Sequence, residues 1–345
     1  MKRAISFHDF DAVEGLRRRC GLDPEHLRRA RTAFYKKHEP RELFDQGLPD
    51  AFRSEVETRF LELAGRQDSR TDGASKLLFR TSRGQSIETV LLRIASGRTS
   101  LCVSSQVGCA VHCAFCATGR MGAVVDLSRD EILDQLIWAN RLAHAEGRAV
   151  RNVVFMGMGE PLHNEAEVRA ALDRMLSPNC FDLSPARVLV STVGIPDAMI
   201  RFAEKYPRVG LAVSLHAARQ DRRERLIPLA RRHDLGELRI AMTRVNALQS
   251  RPLMIEYLLL EDRNDSEDDI VALVEYLTGL RVHVNLIPYN SVDSGLDLRG
   301  SPSPRREAIA QRLKDAGFRV TMRYSLGGDI AAACGQLATR EAGKA

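Results

Sequence analysis

Apolar and polar residues alternate in two different rhythms along this chain from residue 99 onward. Short runs rich in Val, Ile and Leu predict strands, and longer segments with apolar residues every three or four positions predict helices between them. The predicted strands span residues 99–105, 152–156, 187–191, 209–215, 253–260, 281–287 and 318–324. Strands that alternate with helices in this way predict right-handed βαβ units and a parallel sheet.

Helix-start signals support this alternation. Ser128 with Glu131 has the pattern of an N-terminal capping box, and Ser266 followed by Asp269 resembles a further helix start. About six β/α units are too few for a closed eight-stranded barrel, so we predict an α/β fold with a partial (β/α)6 parallel barrel. Parallel sheets bind their ligands at the carboxyl ends of the strands, which is where functional residues are expected.

The first 98 residues have a different pattern. Asp23-Pro24 is typical of a helix start, and apolar residues follow it at helical spacing. Two strand-like runs at 77–81 and 87–92, with a glycine-containing turn between them, predict a short β-hairpin. The predicted parts of the chain are a helical accessory domain, a β-hairpin linker and the barrel, at residues 1–70, 71–98 and 99–345.

Composition and charge limit the class of protein. The 345 residues carry a net charge of +6 with a pI near 9.0, which favours a polyanionic partner without requiring one. A basic run over residues 219–232 fits such a partner or an ordinary solvated helix face. We see no membrane-spanning run and no signal peptide, so we expect a cytoplasmic protein, with its seven cysteines serving as ligands or catalysts.

Three cysteines follow the first predicted barrel strand at CxxxCxxC spacing, namely Cys109, Cys113 and Cys116. A loop that curls could turn their thiolates toward one point. An iron–sulfur cube usually takes four cysteines, so three would leave one iron open to another molecule. The alternatives are a zinc site that uses His112, for which no second half exists, and structural thiols, which explain so dense a run poorly.

Other polar clusters also follow predicted strands. Gly159 and Glu160 lie in a GxGEP run, where glycine lets backbone approach a ligand and the carboxylate can accept hydrogen bonds. Later strand ends contribute Ser191, Ser214, Leu215, His216 and Asn290. Each cluster alone is explained equally well by a turn, a helix cap or a structural histidine. Their common rim, beside the three cysteines, predicts one pocket for a polar, nucleoside-like molecule.

Two further cysteines and one carboxylate stand out. Cys334 is flanked by small residues and followed by Gly335, as in an exposed nucleophile, although alanines at 331–333 fit a buried, inert thiol. Cys102 lies in the first barrel strand. Glu88 lies in the second hairpin strand, where a solvent-facing carboxylate is the expected environment.

Several motifs, taken in their order along the chain, resemble those of a known family. The strings SSQVGC, CAFCATG, FMGMGEP, SLH, NLIPYN and GDIAAACGQL, in this order, resemble the RlmN/Cfr family of radical S-adenosylmethionine RNA methyltransferases. The resemblance extends over essentially the whole chain and is weakest in the helical N-terminus, which it implies to bind RNA. It also implies that the partial barrel is of the radical S-adenosylmethionine type.

The resemblance implies a role for each candidate residue. The implied ligands of one [4Fe-4S] cluster, with an open iron for S-adenosylmethionine, are Cys109, Cys113 and Cys116. The implied S-adenosylmethionine contacts are Gly159, Glu160, Ser191, Ser214, Leu215, His216 and Asn290. Cys334 would be methylated by one S-adenosylmethionine, and a second would generate the radical that transfers the carbon to adenine. Glu88 would accept a proton, and Cys102 would release product by forming a disulfide with Cys334.

The ring carbons of adenine are electrophilic, so polar methyl transfer has no nucleophile there and a radical route avoids the problem. The implied substrate is 23S ribosomal RNA, with certain transfer RNAs as a second one. The implied partner is an external electron donor such as flavodoxin, and the enzyme would be a monomer without membrane association. Ala332 stands where many relatives carry an acidic residue, and the TVG string at 192–194 and the CATG string at 116–119 resemble the Cfr side of the family. These features leave C2 or C8 of adenosine open, with C2 favoured.

Two other functions stay open from the sequence. A radical enzyme that acts on a small molecule or a protein would leave the helical N-terminus and Cys334 unexplained. A non-catalytic RNA-binding module would not need Cys102, Glu88 and Cys334.

Overall fold

The elements of this fold surround one large sheet. The computed structural model describes residues 4–38, 47–122, 124–292 and 297–338. Its strands are β1 (Ile5–Ser6), β2 (Val56–Glu57), β3 (Leu61–Asp68), β4 (Ala74–Thr81), β5 (Ser86–Arg93), β6 (Thr99–Cys102), β7 (Gln106–Val107), β8 (Val125–Asp126), β9 (Val150–Phe155), β10 (Val188–Thr192), β11 (Gly210–Ser214), β12 (Leu253–Leu259), β13 (Val282–Pro288) and β14 (Arg319–Met322). Its α-helices are α1 (Phe10–Arg19), α2 (Pro24–Tyr35), α3 (Asp50–Arg53), α4 (Arg129–Ala145), α5 (Glu165–Leu176), α6 (Pro196–Lys205), α7 (Gln220–Leu226), α8 (Leu235–Leu248), α9 (Glu267–Leu277) and α10 (Ser303–Asp315).

Seven neighbouring strands run parallel, in the order β6, β9, β10, β11, β12, β13 and β14. Helices lie between successive strands of this series, which confirms the predicted β/α units. Within the described residues β14 pairs only with β13, so the sheet does not close at that edge. Residues at the carboxyl ends of β9 to β14 nevertheless line one cavity. The parallel part of the sheet must therefore curve, and the prediction of a partial barrel is confirmed.

The seven predicted barrel strands all occur, with small differences at their ends. The largest is in the first strand, which ends at Cys102 instead of residue 105, because Gln106–Val107 leaves the sheet to pair with Val125–Asp126. The predicted capping box at Ser128 is present, and the helix start predicted at Ser266 occurs and also has a capping box. Local hydrogen-bonding chemistry therefore sets these helix starts.

The hairpin belongs to the same sheet as the barrel. β4 and β5 pair antiparallel, and β5 pairs with β6, so the sheet continues from the hairpin into the parallel strands. β3 extends it further, although residues 61–68 fall in the segment predicted to be helical, and for these residues that prediction was wrong. An edge strand that is mostly exposed needs few apolar residues, so its pattern carried little signal. The division into domains at residues 70 and 98 stays a prediction.

The N-terminal helices form a second apolar cluster that packs on the barrel. Phe7, Phe34 and Phe52 lie in this cluster together with Ile137 of α4. Asp134, also on α4, accepts hydrogen bonds from the backbone N–H groups of residues 60 and 61, both at 2.8 Å. These contacts attach the beginning of β3 to the first barrel helix. Among the described residues, no helix combines the length and the apolarity needed to cross a bilayer.

Candidate active site

The three motif cysteines line one cavity at the mouth of the partial barrel, which we call the first cavity. They lie in the cysteine loop (residues 108–119), where His112 has a positive φ of 54°. Its Nδ1 donates to the Gly119 carbonyl at 2.6 Å and closes the loop. The Ala114 N–H donates to the Leu226 carbonyl of α7 at 2.9 Å. Hydrogen bonds therefore hold the loop both internally and to α7, and the side chain of His112 stabilises the backbone of the loop.

The donor set fits an iron–sulfur cluster. No three His, Cys, Asp or Glu side chains of the described chain converge closely enough to hold a single metal ion. In a [4Fe-4S] cube each thiolate binds a different iron, so the three cysteine sulfurs do not have to converge on one point. Burial raises the pKa of Cys109 to about 12 and that of Cys113 well above its ordinary value. Thiols in this environment become thiolates when a strongly positive centre binds them, and iron supplies that charge.

Gly159 and Glu160 lie beside the cysteines on the rim of the first cavity. Gly159 has a φ of +99°, and a Cβ there would lie 2.6 Å from Cβ of Gln106, so only glycine permits this approach. The Glu160 carboxylate accepts the N–H groups of Val193 at 2.8 Å and Leu162 at 2.9 Å. Burial raises its pKa to about 7. Glu160 therefore braces the rim and has lone pairs left for a ligand.

Ser191, Ser214 and His216 line the same cavity from two neighbouring strands. The two serine Oγ atoms lie 3.5 Å apart. Nδ1 of His216 accepts the Leu258 N–H at 3.0 Å, and the ring stands edge-on to Phe115 at a centroid distance of 4.7 Å. An acceptor at Nδ1 requires the ring proton to be on Nε2, and burial lowers the pKa of His216 to about 3. His216 is therefore a neutral hydrogen-bond donor.

Two predicted cofactor contacts have other surroundings. Leu215 is fully buried in the apolar core and does not line the first cavity. Asn290 also lies outside the lining, and its Nδ2 donates to the Cys334 carbonyl at 3.1 Å. Asn290 thus supports the segment that carries Cys334. Contacts of both residues with S-adenosylmethionine stay predictions.

Cys334 is exposed and lies between two cavities. It lines the first cavity with the motif cysteines, and it also lines a second cavity of about 470 Å³ together with Cys102. The alternative of a buried thiol at residue 334 was therefore wrong. Cys102 is buried, and burial raises its pKa to about 12. Both thiols are free.

Glu88 is only 2% exposed, so the expectation of a solvent-facing carboxylate was wrong. Its Oε1 lies 3.3 Å from Lys76 Nζ, and its Oε2 accepts the Ala338 N–H at 3.0 Å. Burial raises the pKa of Glu88, and the charge of Lys76 acts against this shift. The C-terminal segment covers the face of the hairpin that local alternation assigned to solvent.

Arg323 and Glu256 line the first cavity and were not predicted. Nη1 of Arg323 lies 3.5 Å from Met156 Sδ and 4.0 Å from Glu256 Oε2. Asn285 Nδ2 also donates to Glu256 Oε2, at 2.7 Å. The strand-end rule could have found Arg323, which directly follows β14. Glu256 lies inside β12, and nothing local distinguishes it there.

Comparison with known proteins defines the class. Residues 103–277 match the Radical SAM superfamily. The crystal structure of a radical SAM methyltransferase from Sphaerobacter thermophilus has a TM-score of 0.92 and 35% identity, covering 97% of this chain and 100% of that chain. Fold and site together are those of a radical S-adenosylmethionine enzyme, a class that implies a [4Fe-4S] cluster and use of S-adenosylmethionine.

Curated relatives narrow the assignment. A probable RNA methyltransferase of Rhodopirellula baltica is 49% identical over 95% of this chain and 86% of its own length. A probable dual-specificity RNA methyltransferase RlmN of Chloroherpeton thalassium is 45% identical over 76% of this chain and 72% of its own. The ribosomal RNA large subunit methyltransferase Cfr of Staphylococcus aureus is 35% identical over 92% and 93%. The chain belongs to the RlmN/Cfr family of radical S-adenosylmethionine RNA methyltransferases.

Proposed function

We propose that this enzyme methylates a ring carbon of an adenosine in 23S ribosomal RNA, with C2 favoured over C8, and that certain transfer RNAs are a second substrate. The names of its relatives support an RNA substrate, because they include a dual-specificity RNA methyltransferase and a large-subunit ribosomal RNA methyltransferase. One observation carries the proposal. Cys334 lines both the first and the second cavity. A residue that accepts a carbon from one molecule and transfers it to another needs access to both binding sites.

The first cavity would hold the cluster and S-adenosylmethionine. Cys109, Cys113 and Cys116 would bind the cluster, which supplies the electron for radical formation from S-adenosylmethionine. Glu160 and His216 then offer an acceptor and a neutral donor to the polar groups of S-adenosylmethionine. Two S-adenosylmethionine molecules would be consumed in each turnover, one as methyl donor and one as radical source.

Cys334 begins the reaction as a nucleophile. Its thiolate would attack the methyl carbon of the first S-adenosylmethionine, so that a carbon–sulfur bond forms at Cys334, the methyl–sulfonium bond breaks and S-adenosylhomocysteine leaves. Exposure of the thiol to the first cavity gives it access to that carbon. The second cavity has a volume of about 470 Å³, which is large enough for a nucleobase. Adenine would bind there, next to the methylated sulfur of Cys334.

Glu88 and Cys102 would complete the reaction. Cys102 lines the second cavity, whereas Glu88 lies outside both linings, on strand β5, whose Val90 and Leu92 line the second cavity. Glu88 would act as general base and accept the proton lost from the adenine carbon, while the unpaired electron of the adduct would return to the cluster. Burial raises the pKa of Glu88 above that of an ordinary carboxyl group, which favours proton uptake. Cys102 would attack the sulfur of Cys334, so that a disulfide forms as the carbon–sulfur bond breaks. The electron pair of that bond would leave on the product carbon, which takes up a proton and becomes the methyl group. Reduction of this disulfide resets the enzyme. An external donor such as flavodoxin would reduce the cluster, and the enzyme would act as a cytoplasmic monomer.

The central test uses the resolving thiol. Protein with Cys102→Ala, purified from cells under anaerobic conditions, should carry RNA crosslinked to Cys334, whereas Cys20→Ala should not, because Cys20 lines neither cavity. The crosslink is measured by nuclease digestion and peptide mass spectrometry. Full turnover of Cys102→Ala without a crosslink would exclude the resolving role. Absence of a methyl group from Cys334 in active wild-type protein would require a different carrier.

The substrate is tested separately. Mass spectrometry of ribosomal and transfer RNA from cells with and without the gene should reveal one methyladenosine that depends on it, and fragmentation distinguishes C2 from C8. Unchanged ribosomal and transfer RNA would favour the alternative of a radical enzyme acting on a small molecule or a protein.

A further inference from the structure

Tyr324 lies at the mouth of the second cavity with 87% of its surface exposed. Tyr324 is the second residue after the end of β14 and directly follows Arg323. The other large apolar side chains exposed in the described chain are aliphatic, at residues 124, 240 and 271. The ring of Tyr324 therefore adds nothing to the apolar core, although it lies beside the cavity that holds Cys102 and Cys334.

The charge of this mouth fits a nucleic acid. Arg98 and Arg323 line the second cavity, and its described lining contains no Asp or Glu. Arg323 is paired with Glu256 at 4.0 Å, so the unpaired positive charge of this lining is that of Arg98. Arg98 lies at the exposed turn before β6 and forms no ion pair with any described residue. Aliphatic side chains of β5 form the neighbouring wall. A positive rim, an apolar wall and an exposed aromatic ring are what an unstacked nucleotide requires.

We propose that Tyr324 and Arg98 form a subsite for the nucleotide next to the target adenosine. Moving the target base into the cavity leaves its neighbour with one face unstacked. Tyr324 covers that face, and Arg98 neutralises the phosphate between the two nucleotides. This inference rests on the proposed function and adds to it a contact that binds the flanking nucleotide.

The test is a double-mutant cycle between ring and base. Binding of a fluorescein-labelled RNA hairpin with one unpaired loop adenosine is measured by anisotropy for wild type, Tyr324→Ala and Tyr324→Phe. Two further hairpins carry an abasic nucleotide on the 5′ or the 3′ side of that adenosine. Ile240→Ala is the matched control, because this exposed side chain lies on α8 and lines neither cavity.

Tyr324→Ala should raise the Kd for the intact hairpin roughly fivefold to hundredfold, which is the usual effect of one stacked base. Tyr324→Phe and Ile240→Ala should bind like wild type. On one of the two abasic hairpins the effect of Tyr324→Ala should disappear. Arg98→Met should lower the salt dependence of binding by about one phosphate contact.

Equal binding by Tyr324→Ala and wild type would overturn the subsite, as would an effect that survives in both abasic hairpins. Methylation of RNA by Tyr324→Ala at the wild-type rate and affinity would overturn it too and would leave the proposed function standing. Failure of wild-type protein to bind or methylate any RNA would count against the proposed function itself.

A second, independent observation concerns Arg223, a buried cation on α7, the helix that is hydrogen-bonded to the cysteine loop. It is 1% exposed, its guanidinium donates to the Val193 carbonyl, and its Nε has no hydrogen-bond partner. Burial lowers its pKa to about 10, so it stays charged at neutral pH. Tyr276 and, more weakly, Cys113 act against this lowering of the pKa, and no described carboxylate pairs with Arg223. The basic run at 219–232 is therefore not a uniform solvated face.

A buried charge without a counter-charge is strongly unfavourable. A cluster held by three thiolates carries negative charge, and it becomes more negative by one when it accepts an electron. We infer that Arg223 is the counter-charge of this cluster and favours its reduced state. Helix α7, which carries Arg223, is tied to the cysteine loop through the Ala114 N–H and the Leu226 carbonyl.

Redox titration of the reconstituted cluster, followed by EPR, tests this role without an activity assay. Arg223→Met should lower the equilibrium constant for one-electron reduction at least tenfold, a shift of about 59 mV to more negative potential. Arg223→Lys keeps the charge and should stay near wild type. Arg225→Met is the control, because Arg225 is exposed on the same helix.

An unchanged potential in Arg223→Met at full iron content would refute the inference. If Arg223→Met takes up no iron, the iron content of Arg223→Lys distinguishes a role of the charge from a role of the side-chain shape. Normal iron content in Arg223→Lys would support a role of the charge, and loss of iron in both variants would show that the shape of the side chain matters instead.

Discussion

The Cys334 loop (residues 327–337) contacts the cysteine loop through a backbone hydrogen bond that depends on a glycine. The Ala117 N–H donates to the Gly335 carbonyl at 2.7 Å. Gly335 has a φ of +85°, and a Cβ there would lie 3.0 Å from the Phe115 carbonyl oxygen. Gly335→Ala should therefore weaken the docking of Cys334 at the first cavity.

The expected magnitude follows from these contacts. A left-handed backbone costs an L-residue roughly 1–2 kcal/mol, and a lost hydrogen bond costs about 1 kcal/mol. Together they amount to about 2–3 kcal/mol, or roughly 30- to 150-fold in the ratio of docked to undocked loop. Gly328→Ala is the matched control, because a Cβ at Gly328 meets nothing within 4 Å and its φ is not positive.

Hydrogen exchange with mass spectrometry measures this ratio at the amide of Ala117. Exchange should accelerate by the same factor in Gly335→Ala and stay at the wild-type rate in Gly328→Ala. Methylation of Cys334, followed by intact mass, should slow in parallel. Unchanged exchange at Ala117 in folded Gly335→Ala would show that the hydrogen bond and the φ of Gly335 do not hold the loop.

Three other predictions test separate parts of the site and fold. Burial raises the pKa of Asp134 to about 6. Because the folded protein holds this proton more tightly than the unfolded chain does, the free energy of unfolding should fall by about 3 kcal/mol as pH rises from about 4 to 7. Urea unfolding of Asp134→Asn should show a flatter pH dependence. Cys113→Ala should abolish the iron–sulfur absorbance after anaerobic reconstitution, whereas Cys180→Ala should retain it; normal iron in Cys113→Ala would remove that ligand. Gly159→Ala and Gly97→Ala both introduce strain at positive φ, but only the former places a Cβ 2.6 Å from a neighbour, so its Tm should fall further; equal losses would contradict the packing argument.

The order of strands and helices could be predicted because it depends on local pattern. Runs of aliphatic residues marked the barrel strands, and capping residues such as Ser128 and Ser266 marked helix starts. The motif spacing also indicated that Cys109, Cys113 and Cys116 share one site. Strand β3 was missed, since an exposed edge strand needs no apolar face.

The surroundings of Glu88 and Cys334 could not be predicted, because residues far away in the chain create them. Lys76 and the Ala338 N–H bury and pair the carboxylate of Glu88. Cys334 lies between two cavities because its loop docks on the cysteine loop more than 200 residues earlier.

The sequence by itself therefore determined the alternating β/α architecture and the identity of the cysteine cluster, since both depend on residues close together in the chain. Only the tertiary structure decided which side chains face which cavity. Burial and electrostatics arise from contacts between distant segments, and no local pattern of polar and apolar residues records those contacts.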